Sequence, residues 1–492
     1  MNVLLIYPEF PDTFWSFKHA LPFIGKRAAL PPLGLATVAA MLQSEWSLRL
    51  VDTNVRELKE TELAWADCVF VSAMVVQRKS AHEIVARCKA ADLRVVAGGP
   101  LFTSEHEQFA EVDHFILNEA ELTLPPFLED LARGRPQRLY ASAEYADLRQ
   151  SPVPRWDLLE LKRYASMSLQ FSRGCPFDCD FCNVTALLGH QVRMKSAPQI
   201  IAELDSLYHL GWRENVFFVD DNFIGNKRFV KTELLPALIE WRRGKTGNAF
   251  LTEASINLAD DPTLMNMMAD AGFTKVFIGI ETPDEDCLAE CSKVQNKSRN
   301  LVEDVKRIQR AGLQVQGGFI VGFDHDSPST FQRQIDFIQA SGIVTAMVGI
   351  LQAPVGTNLY ARMKAQGRLC AEASGDNVDG TTNIVPAMSM ETLKTGYRRI
   401  LDQIYSPAPY YQRVRTFLRE YKGPPARGKL RVCYILALLR SAVRLGVIGR
   451  ERAYYWKLIF WTQFRRPRLL PDAIILAIYG YHFRRICEKH VV

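Results

Sequence analysis

Residues Ser168 to Val184 read SLQFSRGCPFDCDFCNV, an apolar stretch that runs directly into three cysteines at Cys175, Cys179 and Cys182. Soft thiolates at short spacing select zinc or an iron-sulfur cluster. A structural zinc site needs a fourth protein ligand, and His190 is the local residue that completes a Cys3His set. A 4Fe-4S cluster usually takes four cysteines, so one held by three keeps an iron open to substrate or cofactor. The surroundings favour the cluster. SLQFSRG opens a series of short apolar runs, NVFFVDDN, AFLTEASIN, KVFIGIE, VQGGFIVGF and TAMVGILQA, most of them followed by helical patterns such as LVEDVKRIQRAG. Six strand-helix units predict a barrel or partial barrel, with its active site at the carboxyl ends of the strands. Those ends carry the cysteines, then Asp220-Asp221-Asn222, then Glu253 and Ser255, then Glu281.

A second alternating series precedes this one. VLLIYP, LRLVD, CVFVSAM, RVVAGGP and HFILNEAE alternate with amphipathic stretches, which predicts parallel strands with crossover helices in a doubly wound sheet. Its strand ends read Pro8, Asp52, Ser72 to Gln77, Gly98-Gly99-Pro100 and Asn118-Glu119, where ligands of such sheets sit. No G-x-G-x-x-G follows the first strand, which argues against a dinucleotide. Residues 136–165, with Pro152 and Pro154, read as a linker rather than a packed element. From about Arg362 the alternation stops, and the remainder reads as helices broken at Pro407, Pro409 and Gly423-Pro424-Pro425.

With 492 residues, 48% hydrophobic and 23% charged, the chain is long enough for two or three domains that each bury a core. Ten scattered cysteines make no disulfide framework, and MNVLLIYPEF has no signal-peptide pattern, so the expected compartment is the reducing cytoplasm. The net charge of +6 is unevenly distributed. Residues 426–492 carry 14 Lys/Arg against 3 Asp/Glu, a net of +11, which leaves the rest of the chain at −5. Val432, Ile435, Leu436, Leu439 and Val443 recur there at helical spacing, the pattern of a buried face, with Arg431, Arg440 and Arg444 beside them. Trp456, Trp461, Tyr454, Tyr455 and Phe464 alternate with Lys457, Arg465, Arg466 and Arg468, which suits peripheral contact with the inner face of a membrane better than a nucleic acid. The apolar runs fall short of the roughly 20 residues of a spanning helix.

Cys-x3-Cys-x2-Cys with Phe181 before the last cysteine resembles the radical S-adenosylmethionine (SAM) superfamily. Together with PVPRWDLL, FFVDDNFIGNK, TEASINLADD, FIGIETPD and GGFIVGFD, it resembles the cobalamin-dependent group that includes hopanoid and bacteriochlorophyll methylases. The resemblance implies an α/β chain in four parts: a Rossmann-like cobalamin-binding domain over 1–135, a linker over 136–165, a partial (β/α)6 TIM barrel over 166–361, and a helical C-terminal domain over 362–492. It implies a 4Fe-4S cluster on the three cysteines and SAM on the open iron, beside Phe181, Asp220, Asp221, Asn222, Glu253 and Glu281. Cobalamin is expected over Ser72, Gln77, Gly98, Gly99 and Glu119. The cofactors carry the chemistry, with no catalytic side chain beyond them. The implied reaction is radical methylation of an unactivated carbon on an apolar lipid, isoprenoid or pigment-like substrate, with an electron donor such as flavodoxin or ferredoxin.

Three local alternatives stay open. Asp220 to Asn222 also suit a loop or helix cap, Glu253 and Glu281 suit salt bridges, and Gly98-Gly99 suits a turn. Two functional alternatives stand beside methylation: radical carbon-carbon bond formation or rearrangement, and a zinc-containing nucleic-acid-binding protein. One departure from the group is plain. Many cobalamin domains place a histidine ligand in Asp-x-His-x-x-Gly, and here Asp52 is followed by Asn54 at that place. The lower face of the cobalamin is therefore expected at the loop Ser72 to Gln77.

Overall fold

The computed structural model describes residues 1–423 and 432–490. Pro424, Pro425 and Arg431, read above as a helix break and a flank of the tail stripe, lie outside the described residues, as do the side chains of Val432 and Cys433.

Six strands make the first sheet: β1 (Asn2–Tyr7), β2 (Ser47–Asp52), β3 (Cys68–Ser72), β4 (Arg94–Gly98), β5 (His114–Ile116) and β6 (Leu139–Tyr140). All pair in parallel in the order β2-β1-β3-β4-β5-β6. Val3 to Ile6 are buried on both faces, as expected for a sheet covered by helices on each side. The strand order reverses at β1, so a ligand site belongs at the carboxyl edge between β1 and β3.

Strand β7 (Ser166–Leu169) starts the second sheet. After it, β8 (Ser172–Arg173) and β9 (Arg193–Met194) form a short antiparallel ribbon that brackets the cysteine loop at both ends. The sheet continues through β10 (Asn215–Phe218), β11 (Phe250–Glu253), β12 (Phe273–Glu281), β13 (Gln314–Val321) and β14 (Ala346–Ile350). These strands lie in chain order, all parallel, with β7 and β14 at opposite edges. The result is an open six-stranded barrel whose carboxyl ends gather at one mouth. Its first helix, Ala197–His209, starts at a capping box in which Ser196 and Gln199 satisfy each other's backbone N–H.

Residues 136–165 are packed, contrary to the linker reading. Leu139–Tyr140 extends the first sheet, and Trp156 and Tyr164 are buried in the same hydrophobic cluster as barrel residues. Prolines and charges marked the segment as irregular backbone. Its few large rings still bury enough apolar surface to fix it.

The helices Met390–Tyr405, Pro407–Glu420, Val432–Val443, Arg452–Arg465 and Leu470–His490 pack on one another, on the barrel and on the segment that follows β1. Phe483 stacks on Phe14 with ring centroids 4.1 Å apart, His482 meets the Phe14 carbonyl at 2.9 Å, and the Tyr405 hydroxyl donates to the Ala346 carbonyl on β14. The tail stripe contradicts its pattern: Ile435, Leu436, Leu439 and Val443 are exposed, while the buried side is Ala437 and Ser441. Small residues let that side approach its neighbours closely. No described helix is long and apolar enough to cross a membrane.

Candidate active site

The carboxyl ends of both sheets face a cavity of about 760 Å³. Tyr7, Asn54, Ser72 to Met74, Gly98, Gly99 and Glu119 line it from the first sheet, and Ser168, Gln170, Arg173, Asn183, Val184 and Asp221 from the barrel. The remaining wall is largely apolar, with Phe10, Phe14, Trp15, Leu30 and Leu33 among its residues.

On the barrel side, Cys179 is buried and Cys175 and Cys182 are half-buried, all three as free thiols on the loop between β8 and β9. The Cys182 N–H donates to the Cys179 carbonyl at 3.0 Å, so a tight turn sets the last two. Burial pushes all three thiols up, Cys182 to about 12, while the Lys293 ammonium pulls the other way. Lys293 is paired with Glu281 at 2.7 Å, and its Nζ lies 6.0 Å from the centre of the Phe181 ring. Burial acts to lower the Lys293 ammonium, but Glu281 and the neighbouring Cys179 and Cys182 together outweigh it and keep the cation charged. Glu281 has φ of +63°, in the left-handed region that costs a non-glycine residue energy. The register of β12 shifts at that point, which turns the carboxylate toward the lysine.

The zinc alternative finds no support in this geometry. His190 is exposed, and among the described residues no three His, Cys, Asp or Glu side chains close on one ion-sized point. A cubane fits the loop better, because it engages three thiolates at three separate irons.

The acidic residues at the strand ends divide by role. Asp220 accepts from the N–H of Phe171 and from the N–H and hydroxyl of Ser172, so it ties β10 to the start of the cysteine loop. Asn222 accepts from the Ser255 N–H at 3.2 Å and joins β10 to β11. In both, the side-chain oxygens accept hydrogen bonds within the barrel. Asp221 reaches the cavity, and desolvation pushes it up to about 6. Desolvation, aided by the charges of Asp221 and Asp220, pushes Glu253 up to about 8. Close carboxylates without a cation resist ionisation, and an ammonium or sulfonium beside them would restore their charge. Glu253, Glu281 and Phe181 lie off the large cavity, on the cysteine side.

At the rim of the first sheet, Asn54 is fully engaged. Its Nδ2 donates to Asp52 at 2.7 Å and to the Pro8 carbonyl at 3.1 Å, and its Oδ1 accepts from the Phe10 N–H at 2.7 Å. The Tyr164 hydroxyl takes the other Asp52 oxygen at 2.9 Å. The position that carries a histidine in many cobalamin domains thus holds an amide that serves the rim of the sheet, with both Nδ2 hydrogens donated and Oδ1 accepting from Phe10. Gln77 is also taken up, by the Met74 N–H and the Pro8 carbonyl, so it shapes the loop Ser72 to Gln77 instead of lining the cavity.

Glu119 lines the cavity, but its carboxylate is held by Arg173 at 2.9 Å and Arg193 at 2.8 Å and also accepts from the Ala146 N–H. Arg173 also pairs with Glu121 at 2.8 Å. This buried network, invisible in the sequence, joins the first sheet to both ends of the cysteine loop. Gly99 has φ of +92°, and a Cβ there would lie 2.6 Å from Ser72 Oγ; a Cβ on Gly98 would lie 2.7 Å from the Ile116 carbonyl. Only glycines let the backbone line the cavity at this point.

A doubly wound sheet facing an open six-stranded barrel across one cavity, with a three-thiol loop on the barrel, defines a class of enzyme that works through bound cofactors. Family models bear on each part: the B12 binding domain matches residues 27–128, the radical SAM superfamily 169–338, and a domain of unknown function, DUF4070, 357–492. The chain is 32% identical to the hopanoid C-2 methylase of Rhodopseudomonas palustris, over 98% of this chain and 92% of that one. It is 42% identical to an uncharacterized methyltransferase of Synechocystis, over 99% and 92% of the two chains. The structure of the radical SAM methyltransferase TsrM from Kitasatospora setae, solved with cobalamin and a 4Fe-4S cluster, matches with a TM-score of 0.62 at 14% identity, over 99% of both chains. OxsB, a cobalamin-dependent SAM radical enzyme, matches with a TM-score of 0.63 at 15% identity, over 99% of this chain and 79% of its own.

The chain belongs to the cobalamin-binding radical SAM family that includes the hopanoid C-2 methylase. It is a radical SAM enzyme of the methyltransferase type, and its cofactors are a 4Fe-4S cluster, SAM and cobalamin.

Proposed function

We propose that this enzyme adds a methyl group to an unactivated carbon of an apolar lipid, isoprenoid or pigment-like molecule. The observation that carries the reading is the wall of the cavity: Phe10, Phe14, Trp15, Leu30 and Leu33 offer ring and aliphatic surface beside the polar side chains of the strand ends. An apolar ligand gains by leaving water for such a wall and has little need of hydrogen bonds. The relatives named as a hopanoid methylase and as bacteriochlorophyllide methyltransferases support the same substrate class.

When bound, the three cofactors supply one-electron cleavage of SAM and a transferable methyl group. The chain's own residues bind and position. Cys175, Cys179 and Cys182 would hold the cluster, and their ligation displaces the thiol protons that burial otherwise retains. Asp221 and Glu253 would face the positive charge of SAM. Lys293, paired with Glu281, places a cation beside the cysteine loop. Ser72, Gly98 and Gly99 present backbone and a small hydroxyl to the corrin side, and Arg173 with Glu119 holds the two halves in register. The electron is proposed to come from a flavodoxin- or ferredoxin-type donor.

Anaerobic incubation with SAM, methylcobalamin, a low-potential reductant and a lipid extract tests the reading. The expected product is heavier than its parent by one methylene. SAM cleavage with a product of unchanged carbon count would favour bond formation or rearrangement instead.

A further inference from the structure

The basic tail divides into residues with structural duties and residues without them. Arg440 donates to the carbonyls of Pro22 and Phe23, Arg444 to the Tyr481 hydroxyl, and Arg466 to the carbonyls of Arg419 and Tyr421. Tyr455 is buried against Ser441, and Trp456 donates to the Gly446 carbonyl. These explain part of the composition as packing.

What they leave is an outward surface of one character. Val447 and Ile448 are 63% and 62% exposed beside Gly446, the glycine on which Trp456 rests. Trp456 stacks with Phe460 at 5.7 Å, and Phe464 follows one turn further along the same helix edge. Phe460 is 56% exposed and Phe464 82%. Leu439 and Val443 extend the apolar row along the preceding helix. On the adjoining edge of the Arg452–Arg465 helix, Arg415 and Arg419 lie over the Trp461 ring at 5.4 and 5.8 Å, and Arg465 and Arg466 complete a shallow cleft. Arg450, Arg452, Lys457 and Arg468, on or beside the same helix, are exposed as well. The acids of the tail are occupied elsewhere, Glu451 by Arg484 and Glu488 by Arg485, while Asp472 is desolvated.

The geometry points to this surface as a docking face for an anionic lipid bilayer, with the Val447, Ile448, Phe460 and Phe464 side chains entering the acyl boundary and the arginine cleft receiving lipid phosphate. Apolar rings beside unopposed bases are the two components that interfacial binding adds together. Bases near an anionic surface add to the attraction, which falls off within the Debye length. The charge of the chain outside the tail is net acidic, so the attraction is oriented to this face. The inference is independent of the methylation reading, since binding is measured without turnover.

The test is co-sedimentation of the full-length protein with phosphatidylcholine vesicles, with and without phosphatidylglycerol. Two double variants are compared, Phe460→Ser with Phe464→Ser and Arg465→Glu with Arg468→Glu; all four side chains are exposed, and unchanged thermal melts confirm folding. Arg466 is left intact because it caps a helix. Binding is expected only to the anionic vesicles, weakened by salt, and reduced about tenfold or more in each variant. Absence of binding by the wild type, or equal binding by the variants, overturns the inference. A dimer in solution that Phe460→Ser with Phe464→Ser dissolves, without vesicle binding, would assign the face to a second copy instead.

Discussion

Three thiols on one loop and a lysine from another element show how differently residues announce themselves. The spacing of Cys175, Cys179 and Cys182 carries its own meaning, because three soft ligands within eight positions suit few roles other than holding a metal or cluster. Replacing any one of them with alanine is expected to abolish the cluster's visible absorbance and 5'-deoxyadenosine formation while leaving the first sheet folded, which iron analysis and circular dichroism will check. Normal SAM cleavage by Cys179→Ala would contradict the assignment. Asp220, Asp221 and Asn222 look equivalent in sequence yet part in the structure, since hydrogen bonds to Ser172 and Ser255 occupy two of them and leave Asp221 for the cavity. Lys293 had no sequence signal. Its importance comes from Glu281, twelve residues away and turned by a register shift.

At the scale of elements, the alternation of strands and helices predicted both sheets because a strand buried on two faces must be apolar almost throughout. The glycine pair after β4 was legible as a close approach, but what it approaches was not. Gly98 packs against the β5 carbonyl of Ile116 and Gly99 against the loop at Ser72. Gly99→Val, which adds a branched side chain at φ of +92°, is expected to displace the Ser72 loop and weaken cobalamin retention severalfold. Equilibrium dialysis with cobalamin checks this, and iron content should stay at the wild-type level. The segment 136–165 and the stripe on the Val432–Val443 helix were misread for one physical reason. Composition and periodicity report which face is apolar, but not whether a neighbour is present to cover it.

For the whole molecule, the contacts that join the parts are acid-sensitive. Burial lowers His482 from its ordinary value of 6.5 to about 4, where it meets the Phe14 carbonyl in the interior. The unfolded chain takes up that proton near pH 6.5 and the folded one only near pH 4. The contribution of His482 to stability is therefore full above pH 6.5 and falls through this window, by up to about 1.4 kcal/mol per pH unit, while the raised carboxyls of Asp221 and Glu253 act in the opposite direction. Burial acts to raise Glu121, but Arg173 outweighs it and the carboxyl lies at about 2, so the contribution of that pair is lost as pH falls from 4.5 toward 2. Melting temperature measured against pH for the wild type and His482→Gln should show the wild type losing stability relative to the variant between pH 6.5 and 4, with the two curves parallel below pH 4. Curves of the same shape for both proteins between pH 6.5 and 4 would contradict this role of His482.

By itself the sequence determined the two parallel layers, the three-cysteine loop and the missing histidine at Asn54, because each is a local property: apolar period, ligand spacing, or the identity of one residue at a strand end. Only the tertiary structure decided which carboxylates face the cavity, that Glu119 binds arginines, and that the apolar stripe of the tail looks outward. Those facts depend on partners far away in the chain, such as Arg173 for Glu119 and Phe483 for Phe14. A side chain's role is set by the lowest-energy use of its hydrogen bonds and surface once every neighbour is in place, and no local pattern carries that information.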